Sequence, residues 1–144
     1  MPEPTTVRIS NPEGARELIM IVDDDPLVTL LVERVLTTEG YRIITAADGP
    51  KAIDIYKEMQ DVVDLVITDY KMPGMDGYEL FNELRALNPR MAAAVTSGFM
   101  EEEMISEMMS NGLRGFIPKP LTQVKLLQKV RAILDGLQAD ARAR

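Results

Sequence analysis

The sequence predicts an α/β fold, an open, doubly wound parallel sheet of five strands with helices on both faces. Three observations carry this. Short apolar runs alternate with amphipathic stretches along the chain, the pattern of successive βα units. The first run, Leu18-Ile19-Met20-Ile21-Val22, is apolar without a break, which fits a strand covered on both faces rather than one with a wet side. Caps and breakers punctuate the chain: Asp25-Pro26 and Gly40 bracket one amphipathic stretch, and Asp48-Gly49, Asn88-Pro89 and Gly112 mark later junctions.

The first strand ends at Asp23, and Asp25 caps a helix with Pro26 in its first position and Leu27, Leu31 and Val35 on its buried side. Tyr41 to Ala46 forms the second strand, closed by the turn pair Asp48-Gly49. A helix follows from Pro50, with Ala52, Ile55, Tyr56 and Met59 at helical spacing. Leu65-Val66-Ile67-Thr68 is the third strand and delivers Asp69 at its carboxyl end. After the loop from Lys71 to Gly77, a helix turns Leu80, Leu84 and Leu87 inward. The fourth strand, Met91 to Thr96, is rich in alanine and weak by propensity; a helix from Glu101 to Asn111 follows it. Gly115 to Ile117 is the fifth strand, and Thr122 caps a last helix that buries Leu126, Leu127, Val130, Leu134 and Leu137. On its outer side Lys125, Lys129 and Arg131 read as a solvated face. Residues 1–16 read as a flexible tail or linker remnant, 17–137 as the single domain and 138–144 as a C-terminal tail.

Composition narrows the chemistry. The sequence has no Cys and no His, which excludes disulfides, thiolate nucleophiles, Cys/His zinc sites and Ser-His-Asp triads within it. A net charge of −7 opposes nonspecific binding to nucleic acid or to anionic membranes, since both need a basic face. No apolar run approaches the roughly 20 residues of a membrane span, and no signal peptide opens the chain. A cytoplasmic location without membrane contact is expected.

In open parallel sheets, sites form beyond the carboxyl ends of the strands. The polar residues there are Asp23 and Asp24, Asp69, Thr96 and Ser97, and Lys119. Three carboxylates brought together repel and call for a cation. With oxygen donors alone Mg²⁺ is the natural choice, and Mn²⁺ suits the same donors. A lysine and a hydroxyl beside a carboxylate suit phosphoryl transfer, where charge develops on the transferred oxygens. Together they make an aspartyl-phosphate site.

These residues resemble the receiver domains of bacterial two-component response regulators. The likeness rests on Ile21-Val22-Asp23-Asp24-Asp25, on the run from Asp64 through Asp69-Tyr70-Lys71-Met72-Pro73-Gly74-Met75-Asp76-Gly77, on Thr96-Ser97-Gly98, and on Gly115-Phe116-Ile117-Pro118-Lys119-Pro120. The resemblance implies a flavodoxin-like sheet of order 2-1-3-4-5 and a module that takes a phosphoryl group from a histidine kinase or a histidine phosphotransfer protein. It implies Asp69 as phosphoacceptor, Asp24 as direct Mg²⁺ ligand, Asp23 as a ligand through water, and the backbone carbonyl of Lys71 as a further ligand. Lys119 would pair with the phosphoryl oxygens, and its bond to Pro120 would be cis. Thr96 would be the switch hydroxyl and Phe116 the switch aromatic, together reshaping the surface of the fourth helix, fifth strand and fifth helix. Lys71 and Gly98, two residues beyond Asp69 and Thr96, would flank the approach of hydrolytic water.

Such a module is a monomer or weak dimer and a regulatory phosphoacceptor rather than an enzyme. The Pro-rich lead-in and the ragged end suggest a segment of a larger protein such as a hybrid sensor kinase over a free-standing regulator. A Mg²⁺-dependent phosphatase of the haloacid dehalogenase type also uses a strand-end Asp, but places a second Asp where this chain has Lys71. A receiver-like scaffold that is never phosphorylated would not need the full residue set.

Overall fold

In the computed structural model, which describes residues 7–142, five strands and five helices alternate along the chain. The strands are β1 (Leu18–Val22), β2 (Arg42–Ala46), β3 (Leu65–Asp69), β4 (Ala93–Ser97) and β5 (Gly115–Pro118). The helices are α1 (Pro26–Thr38), α2 (Gly49–Met59), α3 (Gly77–Leu87), α4 (Glu102–Ser110) and α5 (Gln123–Arg142). All strand pairs are parallel and the order is β2-β1-β3-β4-β5, the flavodoxin-like arrangement.

β1 shows why its sequence is apolar throughout. Leu18, Met20 and Val22 pack with Ala52, Tyr56, Leu80, Phe81, Leu84 and Met108 of α2, α3 and α4. Ile19 and Ile21 pack on the other face with Val32 and Leu36 of α1 and with Leu126, Val130 and Leu134 of α5. All five strand residues are buried, at about 1.5–3 kcal/mol for each large side chain removed from water.

The caps work locally. Asp25 accepts from the Leu27 N–H at 2.9 Å, and Asp48 proves to be the N-cap of α2, accepting from the Lys51 N–H at 2.9 Å. At the start of α3, Asp76 and Glu79 form a reciprocal capping box. Gly40 and Gly112, both at positive φ, turn the chain out of α1 and α4.

The predicted inward sides of two helices need correction. In α1, Leu27 and Leu31 are 75% and 48% exposed, Val35 is only partly buried, and Val32 and Leu36 are the buried pair. The helix carries two adjacent apolar stripes, so periodicity cannot choose between them; the path of the chain from Asp23 to Asp25 does. In α3, Phe81 takes the inward place and Leu87 is exposed.

The tails also differ from expectation. Within 7–16, Ser10 makes an antiparallel bridge to Ile43 on the outer edge of β2, with N–H···O distances of 2.8 and 3.1 Å in the two directions. The Asn11 side chain donates to the Tyr41 carbonyl at 3.1 Å, and Val7 and Ile9 pack on the core. This strap covers part of an edge that would otherwise expose unpaired backbone groups. One bridge to a residue far along the chain leaves no local pattern to read. At the other end, α5 continues through Arg142, so 138–142 is helix, built from good helix formers such as Gln138, Ala139 and Ala141. Met1–Thr6 and residues 143–144 lie outside the described residues.

Arg131 is not part of a solvated face. Its guanidinium donates to Glu17 at 2.8 and 3.3 Å, to the Tyr41 hydroxyl at 3.1 Å and to Asp135 at 2.9 Å. This network ties α5 to the chain entering β1. The Arg131 hydrogen bond holds the Glu17 carboxyl below its ordinary value of 4.5. A lowered carboxyl pKa contributes stability above the unfolded value and loses it as pH falls through the folded one. Glu17→Gln should therefore cost about 1 kcal/mol at neutral pH, and the gap to the parent should close as pH drops below 4.5. Urea unfolding at pH 7 and pH 3 checks this; a gap that persists in acid contradicts it.

Candidate functional site

The site is built where β1 and β3 end side by side. Val22 of β1 is in register with Thr68 of β3, so the next residues, Asp23 and Asp69, emerge from neighbouring strands at one level. Asp64 sets up that alignment from below: its N–H donates to the Leu18 carbonyl at 2.8 Å, and its carboxylate accepts from the Leu18 N–H at 2.9 Å. On the other side of β3, Asp69 is in register with Thr96 of β4, and Thr96 and Ser97 are both buried. Ser97 is in register with Pro118 of β5, and the next residue, Lys119, donates its N–H to the Ser97 carbonyl at 2.8 Å.

Oxygens of Asp23, Asp24 and Asp69 lie within 4.8 Å of one another. Asp23 and Asp69 are only 4% and 7% exposed, whereas Asp24 faces solvent. The Lys119 ammonium lies 3.2 Å from Asp69 Oδ1 and 3.5 Å from Asp23 Oδ2. Burial pushes the Asp23 carboxyl up and the Asp69 charge adds to this, against the opposing Asp25 N–H and Lys119. Partial burial works against the Lys119 charge, but Asp23 and Asp69 outweigh it and hold its pKa above the ordinary lysine value. The Lys119–Pro120 peptide bond is cis.

Among the remaining expected positions, Lys71 stands exposed on the loop after β3. Gly98 has open space where a side chain would begin. Phe116 is half-buried, in register with Val95 of β4, and packs against the core beneath α4. The structure thus gathers Asp23, Asp24, Asp69, Thr96 and Lys119 at one edge, with Lys71 and Gly98 at its rim and Phe116 one strand away.

Two further residues, neither assigned a role from the sequence, support the site. Gly77 begins α3 so close to the strand end that a Cβ there would lie 2.5 Å from the Asp69 carbonyl oxygen. Lys125, expected to be solvated, donates to the carbonyls of Pro118 at 3.3 Å and Pro120 at 3.2 Å. The cluster offers oxygen donors only, two of them buried and near a single ammonium. That donor set fits a hard divalent cation such as Mg²⁺.

Known proteins are similar to this chain over most of its length. The family model for the response regulator receiver domain matches residues 19–131. The chemotaxis protein CheY of Treponema pallidum is 32% identical over 124 residues, covering 85% of this chain and 86% of that protein. The sensor kinase CckA of Brucella abortus is 32% identical over 117 residues, 81% of this chain but only 12% of the kinase. Among solved structures, the CheX–CheY–BeF3–Mg²⁺ complex of Borrelia burgdorferi superposes with a TM-score of 0.79 at 30% identity, covering 86% of this chain and 98% of the matched one. On fold and similarity alike, the chain belongs to the response regulator receiver domain family, the regulatory phosphoacceptor modules of two-component signalling.

Proposed function

We propose that this chain accepts a phosphoryl group on Asp69 from the histidine of a partner kinase or phosphotransfer protein and signals through a changed surface. The observation that carries this is the placement of the Lys119 ammonium 3.2 Å from a buried strand-end carboxylate that also belongs to a three-carboxylate cluster. These 144 residues include no histidine, so the donor imidazole lies outside them.

Asp69 attacks the phosphorus in line; a new O–P bond forms, the P–N bond of the phosphohistidine breaks, and the departing imidazole nitrogen takes up a proton. Lys119 meets the charge on the transferred oxygens. Asp24, Asp23, Asp69 and the Lys71 carbonyl are the residues that would hold Mg²⁺, whose chemistry there is to offset phosphoryl charge. The Thr96 hydroxyl, adjacent to Asp69 in register, is the group that turns towards the phosphoryl oxygens. Phe116 follows into the space released and alters the α4–β5–α5 surface.

Asp69→Asn removes the nucleophile, so labelling with Mg²⁺ and acetyl phosphate should fall to background; label retained at the parent level would refute the assignment. Because Mg²⁺ binds the folded cluster, the melting temperature should rise with Mg²⁺, with a gain of about 1.4 kcal/mol at ten times the Kd. Asp24→Asn relieves like-charge crowding and should melt higher without metal, yet lose most of the Mg²⁺ response. An undiminished response would count against its ligand role. The long stem of Lys71 can lie across the phosphoryl group while Gly98 neither orients nor blocks water. Lys71→Ala should therefore shorten the phosphorylated half-life several-fold, read as loss of label at fixed Mg²⁺; an equal or longer half-life removes the shielding role.

A further inference from the structure

α5 opens with Thr122-Gln123-Val124-Lys125, and the Lys125 N–H donates to Thr122 Oγ1 at 3.2 Å. That is half of a capping box. The other half needs an acceptor side chain at the fourth position, as Glu79 supplies in α3, accepting from the Asp76 N–H at 3.3 Å. In α5 the residue there is a cation, which cannot accept and which faces the positive end of a 20-residue helix. Local helix chemistry disfavours lysine at this place, and such conflicts gather where a tertiary or functional demand overrides them.

The demand is visible at the other end of the side chain. Lys125 Nζ donates to the Pro118 carbonyl at 3.3 Å and to the Pro120 carbonyl at 3.2 Å, the residues on either side of Lys119. Prolines have no N–H, so within Pro118-Lys119-Pro120 the only main-chain donor is that of Lys119, which is given to Ser97 at 2.8 Å. The main chain of Lys119 is therefore held by β4 through its own N–H and by α5 through both neighbouring carbonyls. The same residue sends its ammonium to Asp69 and Asp23.

We infer that Lys125 is a positioning residue for Lys119. By clamping both flanking carbonyls it fixes the base of a flexible four-carbon stem, so that the Lys119 ammonium stands where the phosphoryl oxygens arrive. The functional part of this rests on Asp69 being the phosphoacceptor; the positioning itself does not.

Lys125→Met keeps the stem and removes the donors, while Lys125→Arg restores donors to the same place. Phosphorylation by acetyl phosphate at saturating Mg²⁺ should slow about three- to tenfold in Lys125→Met, the scale of a sub-ångström misplacement, and recover most of the loss in Lys125→Arg. Amide hydrogen exchange should accelerate at the Lys119 N–H but not at Leu126, whose N–H is held by the Thr122 carbonyl at 2.9 Å. Parent-like phosphorylation and Lys119 exchange in Lys125→Met would overturn the inference, and so would a parallel loss of protection at Leu126, which would make Lys125 a helix-start residue only. Failure of the parent protein to label would instead defeat the Asp69 reading, and the exchange at Lys119 would then decide the positioning alone.

Discussion

Three carboxylates with oxygens within 4.8 Å of one another, two of them buried, form an arrangement that a protein interior resists. The two buried carboxyl groups give up water, and all three meet like charge. Lys119 is the cation that makes the cluster tolerable, 3.2 and 3.5 Å from its two buried members. The surrounding structure is organised to hold these four residues at one sheet edge although they come from three distant parts of the chain. A site under this tension gains from any further positive charge, which is why it suits both a divalent cation and a group whose transfer is eased by positive surroundings.

Holding the cluster is a matter of register. A parallel strand slipped by one residue would turn Asp23 or Asp69 to the opposite face of the sheet. The register between β1 and β3 is supported at its start by the two hydrogen bonds between Asp64 and Leu18, and along its length by apolar packing on both faces. At the end of β3, Gly77 brings the first turn of α3 against the Asp69 carbonyl, an approach that a side chain would forbid. The Glu17–Arg131–Tyr41 network and the Ser10–Ile43 bridge act further out, fastening α5 and the N-terminal strap to the β1–β2 side.

Order and solvent divide the site's residues by task. Asp69 and Thr96 are buried, and the register between β3 and β4 fixes their main chain side by side. Asp24, Lys71 and Gly98 are open to solvent, where a cation, a donor or a water can reach them. Phe116 sits between, half-buried against the same core cluster as Met100 and Met104, whose flexible side chains adapt readily to their surroundings.

The sequence by itself determined the alternation of strands and helices, the caps at Asp25 and Thr122, and the identity of the polar residues at the strand ends. All of these are written in local pattern: unbroken apolar runs, helical spacing, and side chains that bond a backbone a few residues away. Only the tertiary structure decided which stripe of α1 faces the sheet, because Leu27, Leu31 and Val35 and the neighbouring Val28, Val32 and Leu36 are equally apolar and the choice lies in how the helix is joined to β1. It likewise decided that residues 7–16 strap the β2 edge, that Arg131 binds Glu17, and that Lys125 clamps the carbonyls around Lys119. Each of these is a hydrogen bond or ion pair whose geometry the local sequence pattern does not specify. A lysine or an arginine on a helix reads as solvated until the fold brings an acceptor to it.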